Sequence, residues 1–191
     1  MSTLIHSRRG QTLVEALVAL SILTMGFIGI ISLLSRSFQL NRTASDDTQA
    51  TYLAAEGIEI AKNIIDYDVY YGFRQSTSTN DWGCSFNLSS GQSADYELDY
   101  TKVVSSLSGC GAAPGKVSSA AQAQAAHLYF NPSTTLYTYN SFAPAVQSDF
   151  TRDIRITNDG EDLNVQSIVK WTSGSLSNTI TLEDYFYNWH P

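Results

Sequence analysis

From Leu13 to Leu34 nearly every position is apolar, with no polar stripe to mark a wet face. A helix apolar all round belongs in lipid or at the centre of a helical bundle. Gly26 and Gly29 interrupt the run, each costing about 1 kcal/mol against Ala. They mark either a place where the helix bends or a small-residue surface for close helix packing. From residue 35 to 51 the pattern turns polar, with Arg36, Arg42, Asp46 and Asp47. Beyond it Ala50, Leu53, Ala54, Gly57, Ile60, Ala61, Ile64 and Ile65 recur at spacings of three and four, the stripe of a helix lying on a sheet. Residues 12–66 are thus predicted as one helix in two regimes. Such a helix would run about 80 Å, longer than a small domain needs, so one half is expected to project from a head.

After Asp66 the pattern changes. Residues 74–83 and 109–126 are polar or small and read as loops, with one helical turn possible at 120–126. Between them Tyr96, Leu98, Tyr100 and Val103 suggest an alternating strand. Strand patterns then follow at 127–131, 135–139, 149–157, 163–172 and 179–187, separated by turn residues at Pro132-Ser133, Asn158-Asp159-Gly160 and Ser173-Gly174-Ser175. An antiparallel meander is expected. In the strand at 149–157, period two places Phe150, Arg152, Ile154 and Ile156 on one face, and Thr151, Asp153 and Arg155 on the other.

Composition narrows the setting. A chain of 191 residues with a membrane-length helix at one end leaves room for one ordinary domain of about 150 residues. With 11 Tyr, 8 Phe and 3 Trp, and hydroxyl and amide residues outnumbering charges in the second half, the mixture suits a strand-rich domain meeting water outside the cell. The formal charge of −7 argues against a nucleic-acid surface.

The stretch ahead of the apolar run carries the most specific chemistry. Arg8 and Arg9 precede Gly10, then Gln11, Thr12, Leu13, Val14 and Glu15, before the uncharged residues 16–35. The two cations would stay in the cytoplasm, and a glycine leaves the backbone open to a peptidase. A single carboxylate at the edge of an apolar helix costs a few kcal/mol unless it finds a partner. A secretory signal peptide would have a shorter apolar core and small residues beyond it, whereas this run lasts 20 residues with no Ala-x-Ala site at its end. A plain signal anchor fits the length but gives Gly10 and Glu15 no part to play. Cleavage between Gly10 and Gln11 accounts for both, because it leaves a new α-amine able to offset the charge of Glu15.

These residues resemble the type IV prepilin processing signal, shared by type IV pilins, minor pilins and the pseudopilins of type II secretion and competence systems. The resemblance implies removal of a leader at 1–10 by a prepilin peptidase and methylation of the new N-terminus. Gln11 stands where the family most often has Phe, which bears on methylation more than on cleavage. Losing the leader removes Arg8 and Arg9 and no acid, leaving 9 basic against 18 acidic side chains, or −9. Residues 52–59 (YLAAEGIE) are similar to a segment common where the helix of minor pilins enters the head. The pattern of Phe150, Arg152, Ile154 and Ile156, with Val169, Trp171 and the closing Tyr185, Phe186 and Trp189, also resembles minor-pilin heads.

No other constellation points to catalysis. The sequence has no Gly-rich phosphate loop, HExxH, GxSxG or Cys-x-x-Cys, and its histidines are His6, His127 and His190. Glu56 and Glu59, three apart on a helix with no histidine nearby, read as a solvated face rather than an acid/base pair. The acidic run from Asn158 to Asp162 lacks calcium-loop spacing and reads as a hairpin turn. No enzyme activity, metal or cofactor is expected. Cys84 and Cys110 are the only cysteines; in a segment outside the membrane an even count favours a disulfide, worth roughly 3 to 4 kcal/mol for a loop of about 25 residues. The alternative is two free or buried thiols.

The reading is an α+β, pilin-like chain: a leader at 1–10, a transmembrane and fibre-core helix at 11–35, and at 36–191 a periplasmic or extracellular head whose amphipathic helix packs on an antiparallel sheet. The expected partners are the prepilin peptidase and methylase, the lipid bilayer before assembly, other pilin subunits and an assembly platform. No nucleic acid is expected, although a role in DNA uptake stays open. The expected function is structural, as a minor pilin held in the cytoplasmic membrane and then built into a surface filament. A pseudopilin shares the same physics, and a membrane-anchored binding module that never polymerises is the alternative of another class.

Overall fold

The computed structural model describes residues 9–75, 82–102, 115–117, 127–174 and 176–188. Helix α1 runs without a break over Arg9–Gln75. Strands follow in the order β1 (Gln92–Tyr96), β2 (His127–Asn131), β3 (Leu136–Thr138), β4 (Val146–Asn158), β5 (Asp162–Ser173) and β6 (Leu176–Tyr187). Packing divides the chain into two units, Met1–Ser45 and Asp46–Pro191.

In the first unit, side chains from Leu13 to Leu40 are exposed, and the apolar run is long enough to cross a membrane with none of it buried inside the chain. The helix is continuous through Gly26 and Gly29, so neither glycine breaks it. Two hydroxyls on this apolar helix turn back onto its own carbonyls: Ser21 Oγ donates to Leu17 O at 2.7 Å and Thr24 Oγ1 to Ser21 O at 2.9 Å. Such back-bonding satisfies a hydroxyl where no water is available.

In the second unit the helical stripe lies on the sheet as the spacing predicts. Ala50, Leu53, Ala54, Ile60, Ala61, Ile64 and Ile65 are buried. They pack in two patches: one with Phe86, Tyr96, Leu98, Ile154, Ile156, Leu163 and Val165, the other with Leu128, Phe150, Val169 and Trp171. Gly57 is the point of closest approach, since a Cβ there would collide with the Ser167 side chain and sit 3.2 Å from Ile154 Cδ1. The helix outruns its predicted end at 66 because Asp68 faces inward. Its carboxylate accepts from Ser85 N at 3.0 Å and from the Ser85 hydroxyl, and so fastens the last turns of α1 to the next segment.

The sheet is antiparallel, in the order β3-β2-β4-β5-β6, with β1 also paired to β4. It is not the simple meander expected, because β2 lies between β3 and β4. The long β4 serves two partners on one side. Its first half pairs with β2 and its second half, from Ile154 to Asn158, with β1. Phe150, Arg152, Ile154 and Ile156 do share the buried face. The strand expected through Tyr100 ends at Tyr96, and Tyr100–Lys102 form a 3-10 turn. The Asp99 carboxylate causes this by accepting from Thr101 N at 3.0 Å and from the Thr101 hydroxyl, an Asx turn that bends the chain. Val103, also assigned to that strand, lies outside the described residues.

Candidate functional site

Arg8 lies outside the described residues. Arg9, Gly10 and Gln11 form the first turn of α1, so the Gly10–Gln11 bond lies within the helix rather than ahead of it. A first turn has no intrahelical partners for its N–H groups and frays readily. Glu15 follows Gln11 by four residues, about one turn, and is exposed among apolar neighbours. The stretch therefore brings together a bond in a weak first turn, a carboxylate one turn later, and an apolar surface that needs lipid or other helices.

A second constellation, on the head, escaped the sequence reading. Arg152 is wholly buried beneath α1. Its guanidinium donates from Nη1 to Leu53 O at 2.9 Å, from Nη2 to Leu98 O at 2.7 Å and from Nε to the Tyr139 hydroxyl at 3.3 Å. Nη1 also lies 3.3 Å from a Glu56 carboxylate oxygen. The Tyr139 ring lies beneath the guanidinium, 5.6 Å from its centroid, and the Tyr139 hydroxyl donates to Arg152 O at 2.9 Å. Burial by itself would lower the pKa of Arg152, but Tyr139 and Glu56 reverse that and hold it above its ordinary value. The cation thus ties the helix, β4 and the segment after β1 into one body. Glu56 is half-buried against this cation and not on a solvated face, while Glu59 is exposed as expected. The one available signal was a cation at an inward position of an otherwise apolar strand face.

Asp99 supports the same junction. Burial would raise its pKa, but hydrogen bonds from Thr101, Thr138 and the Tyr139 N–H outweigh that and keep it below its ordinary value. On the opposite sheet face, Asp95 takes a two-pronged pair from Arg155, at 2.7 and 3.1 Å. Asp153 sits beside them 7% exposed, with Oδ1 unpartnered. Burial, with the Asp95 charge adding to it, pushes its pKa up to about 6.

The run from Asn158 to Asp162 is the β4–β5 hairpin turn, with Gly160 at φ 100 and its N–H donating to Asn158 Oδ1 at 2.8 Å. Cys84 opens a 3-10 turn at Cys84–Phe86 beside Asp68. Cys110 lies outside the described residues.

A membrane-length N-terminal helix continuing into the core of an antiparallel sheet defines an α+β architecture of pilin type. Residues 5–31 match the family described as the prokaryotic N-terminal methylation motif, a match that supports a type IV pilin-like chain. The motif is that of structural subunits rather than of enzymes, and it implies prepilin processing. Comparison with curated proteins and with solved structures gave no match.

Proposed function

We propose that this chain is a structural subunit, a minor pilin in kind, of a type IV pilus or a related filament. The observation that carries the reading is the methylation motif at 5–31 set on an apolar helix with no cover of its own. Residues 1–10 are the leader, 11–35 the membrane and fibre-core helix, and 36–191 the head. A peptidase cuts after Gly10, and the helix holds the subunit in the cytoplasmic membrane with the head outside. An assembly platform then moves it into a bundle of like helices on the cell surface. There the amine of Gln11 on one subunit pairs with Glu15 of its neighbour and sets axial register, since apolar helices have few other markers of position. Cys84 and Cys110 close a disulfide, a reading supported by the lack of a free thiol among the described residues.

Intact mass of membrane-extracted protein tests the processing. The mature chain should begin at Gln11, Gly10→Val should retain the leader, and non-reducing peptide maps should show one bridged pair. A native form that keeps residues 1–10 would overturn the pilin reading. A pseudopilin gives the same masses and differs in appearing in a secretion or DNA-uptake machine instead of sheared fibres. A membrane-anchored binding module would be missing from both.

A further inference from the structure

Among the described residues the sheet has one long open edge, that of β6. At the opposite end, β3 has only three residues, Leu136–Thr138. The free side of β1 is taken up by the Tyr96–Lys116 bridge and by Val117 N–H donating to Asp95 O at 2.9 Å. By contrast β6 is 12 residues long and pairs with β5 in unbroken register, from Leu176 opposite Ser173 to Tyr187 opposite Asp162. Among the described residues nothing pairs with its other side. Proteins blunt such edges with lysine, proline, bulges or inward-pointing charge; β6 has no lysine, proline or bulge, and its charges, Glu183 and Asp184, sit near one end, where the Asp184 carboxylate accepts from the Tyr185 N–H at 2.9 Å. Its inward row is half covered: Ile180 and Leu182 reach the core beside Val169, while Leu176 is 70% exposed.

Charge decides what fits there. The charged side chains of β6 are Glu183 and Asp184, and residues 46–191 carry 17 acidic against 7 basic side chains, or −10. Asp184 lies on the inward row, opposite Val165. It penalises a purely apolar strand laid against the edge and favours one that brings a cation. A second copy of this acidic head is disfavoured. In the proposed filament, moreover, parallel subunits are related by rotation and rise, so two β6 edges cannot meet across a two-fold axis.

We propose that the β6 edge is a docking site for a strand-forming segment of a different protein, alternating apolar residues with lysine or arginine, which extends the sheet beyond Leu176–Tyr187. Main-chain hydrogen bonds supply the affinity and Glu183 and Asp184 the choice of partner. Binding at this edge does not require a filament, so it can be tested independently of the assembly reading.

The probe is a fluorescent peptide of about 12 residues, the length of a long strand, alternating valine and threonine with lysine. It is titrated against the mature full chain in detergent micelles, with hydrogen exchange followed along the sequence. Expected results are binding, slowed exchange of amides within 176–187, and loss of both when glutamate replaces lysine or proline is set through the peptide. Thr179→Lys with Thr181→Lys, two exposed changes on the outer face, should leave the circular dichroism melt unchanged and weaken binding roughly tenfold through like-charge contacts. Equal binding of the acidic peptide, protection outside β6, indifference to the lysine pair or no binding at all would overturn the proposal. A dimer of the chain alone that the lysine pair dissolves would overturn it in favour of a second copy.

Discussion

Replacing Arg152 by Met tests whether one buried cation holds the helix to the sheet. Methionine is apolar and fills much of the same space, so the cavity term is small and the polar loss dominates. Three hydrogen bonds and one ion pair disappear. Leu53 O lies within a helix and keeps its own helical bond, whereas Leu98 O belongs to a residue with no exposure and loses the Arg152 donor. A buried acceptor stranded in this way costs about 1–3 kcal/mol. Breaking a buried pair by removing one partner costs about 3–5 kcal/mol. Glu56 keeps 32% of its side chain exposed and recovers some hydration, so the expected loss is about 3–4 kcal/mol. Urea unfolding of the mature chain in micelles, followed by the fluorescence of buried Trp171, measures it. Glu56→Gln should cost less, and the double variant should cost less than the two singles together by about 1 kcal/mol or more. A loss under about 1 kcal/mol for Arg152→Met, or strict additivity with Glu56→Gln, would refute the account of Arg152 as the tie between helix and sheet.

Asp153 makes a pH prediction. Because its folded pKa is pushed up to about 6, above that of an unfolded aspartate, the folded head binds the extra proton and its stability falls as pH rises through about 6. The urea midpoint should be higher at pH 5 than at pH 7.5 by this group's share, and Asp153→Asn should flatten the difference; an unchanged slope in that variant would count against it. At the helix–sheet contact, Gly57→Ala should destabilise by roughly 1–3 kcal/mol despite better helix propensity. Ser167→Ala removes a buried hydroxyl with no partner and should be neutral or stabilising in the same urea assay, and should restore part of the Gly57→Ala loss. No rescue would place the clash elsewhere. On the apolar helix, Glu15→Ala should leave cleavage and membrane insertion intact but deplete the subunit from sheared fibres, with Glu15→Asp recovering part; full recovery of Glu15→Ala in fibres would eliminate register pairing.

Much of the architecture could be read directly from residue spacing. The stripe from Ala50 to Ile65 is buried as its periodicity implies, and the alternation from Phe150 to Ile156 places each side chain on the correct face. Most of strand β1 was not legible because ahead of Tyr96 its inward row offers only the small Ala94 beside polar Gln92; it is a strand because β4 continues past β2 and takes it as a partner. The placing of β2 between β3 and β4 depends on long-range pairing, which local turns do not specify. The tie through Arg152 was half legible. Spacing put the cation on the inner face, but two of its acceptors are backbone carbonyls, which have no signature in a sequence.

The hydroxyls of Ser21 and Thr24 bond to carbonyls of their own helix, so neither has to exchange a partner when the medium around α1 changes. On the proposed filament reading, these two hydroxyls then add no hydrogen-bond cost of their own when the segment passes between a bilayer and a bundle of similar helices. On that same reading, the group for which the two surroundings would differ most is the single carboxylate of this run, Glu15.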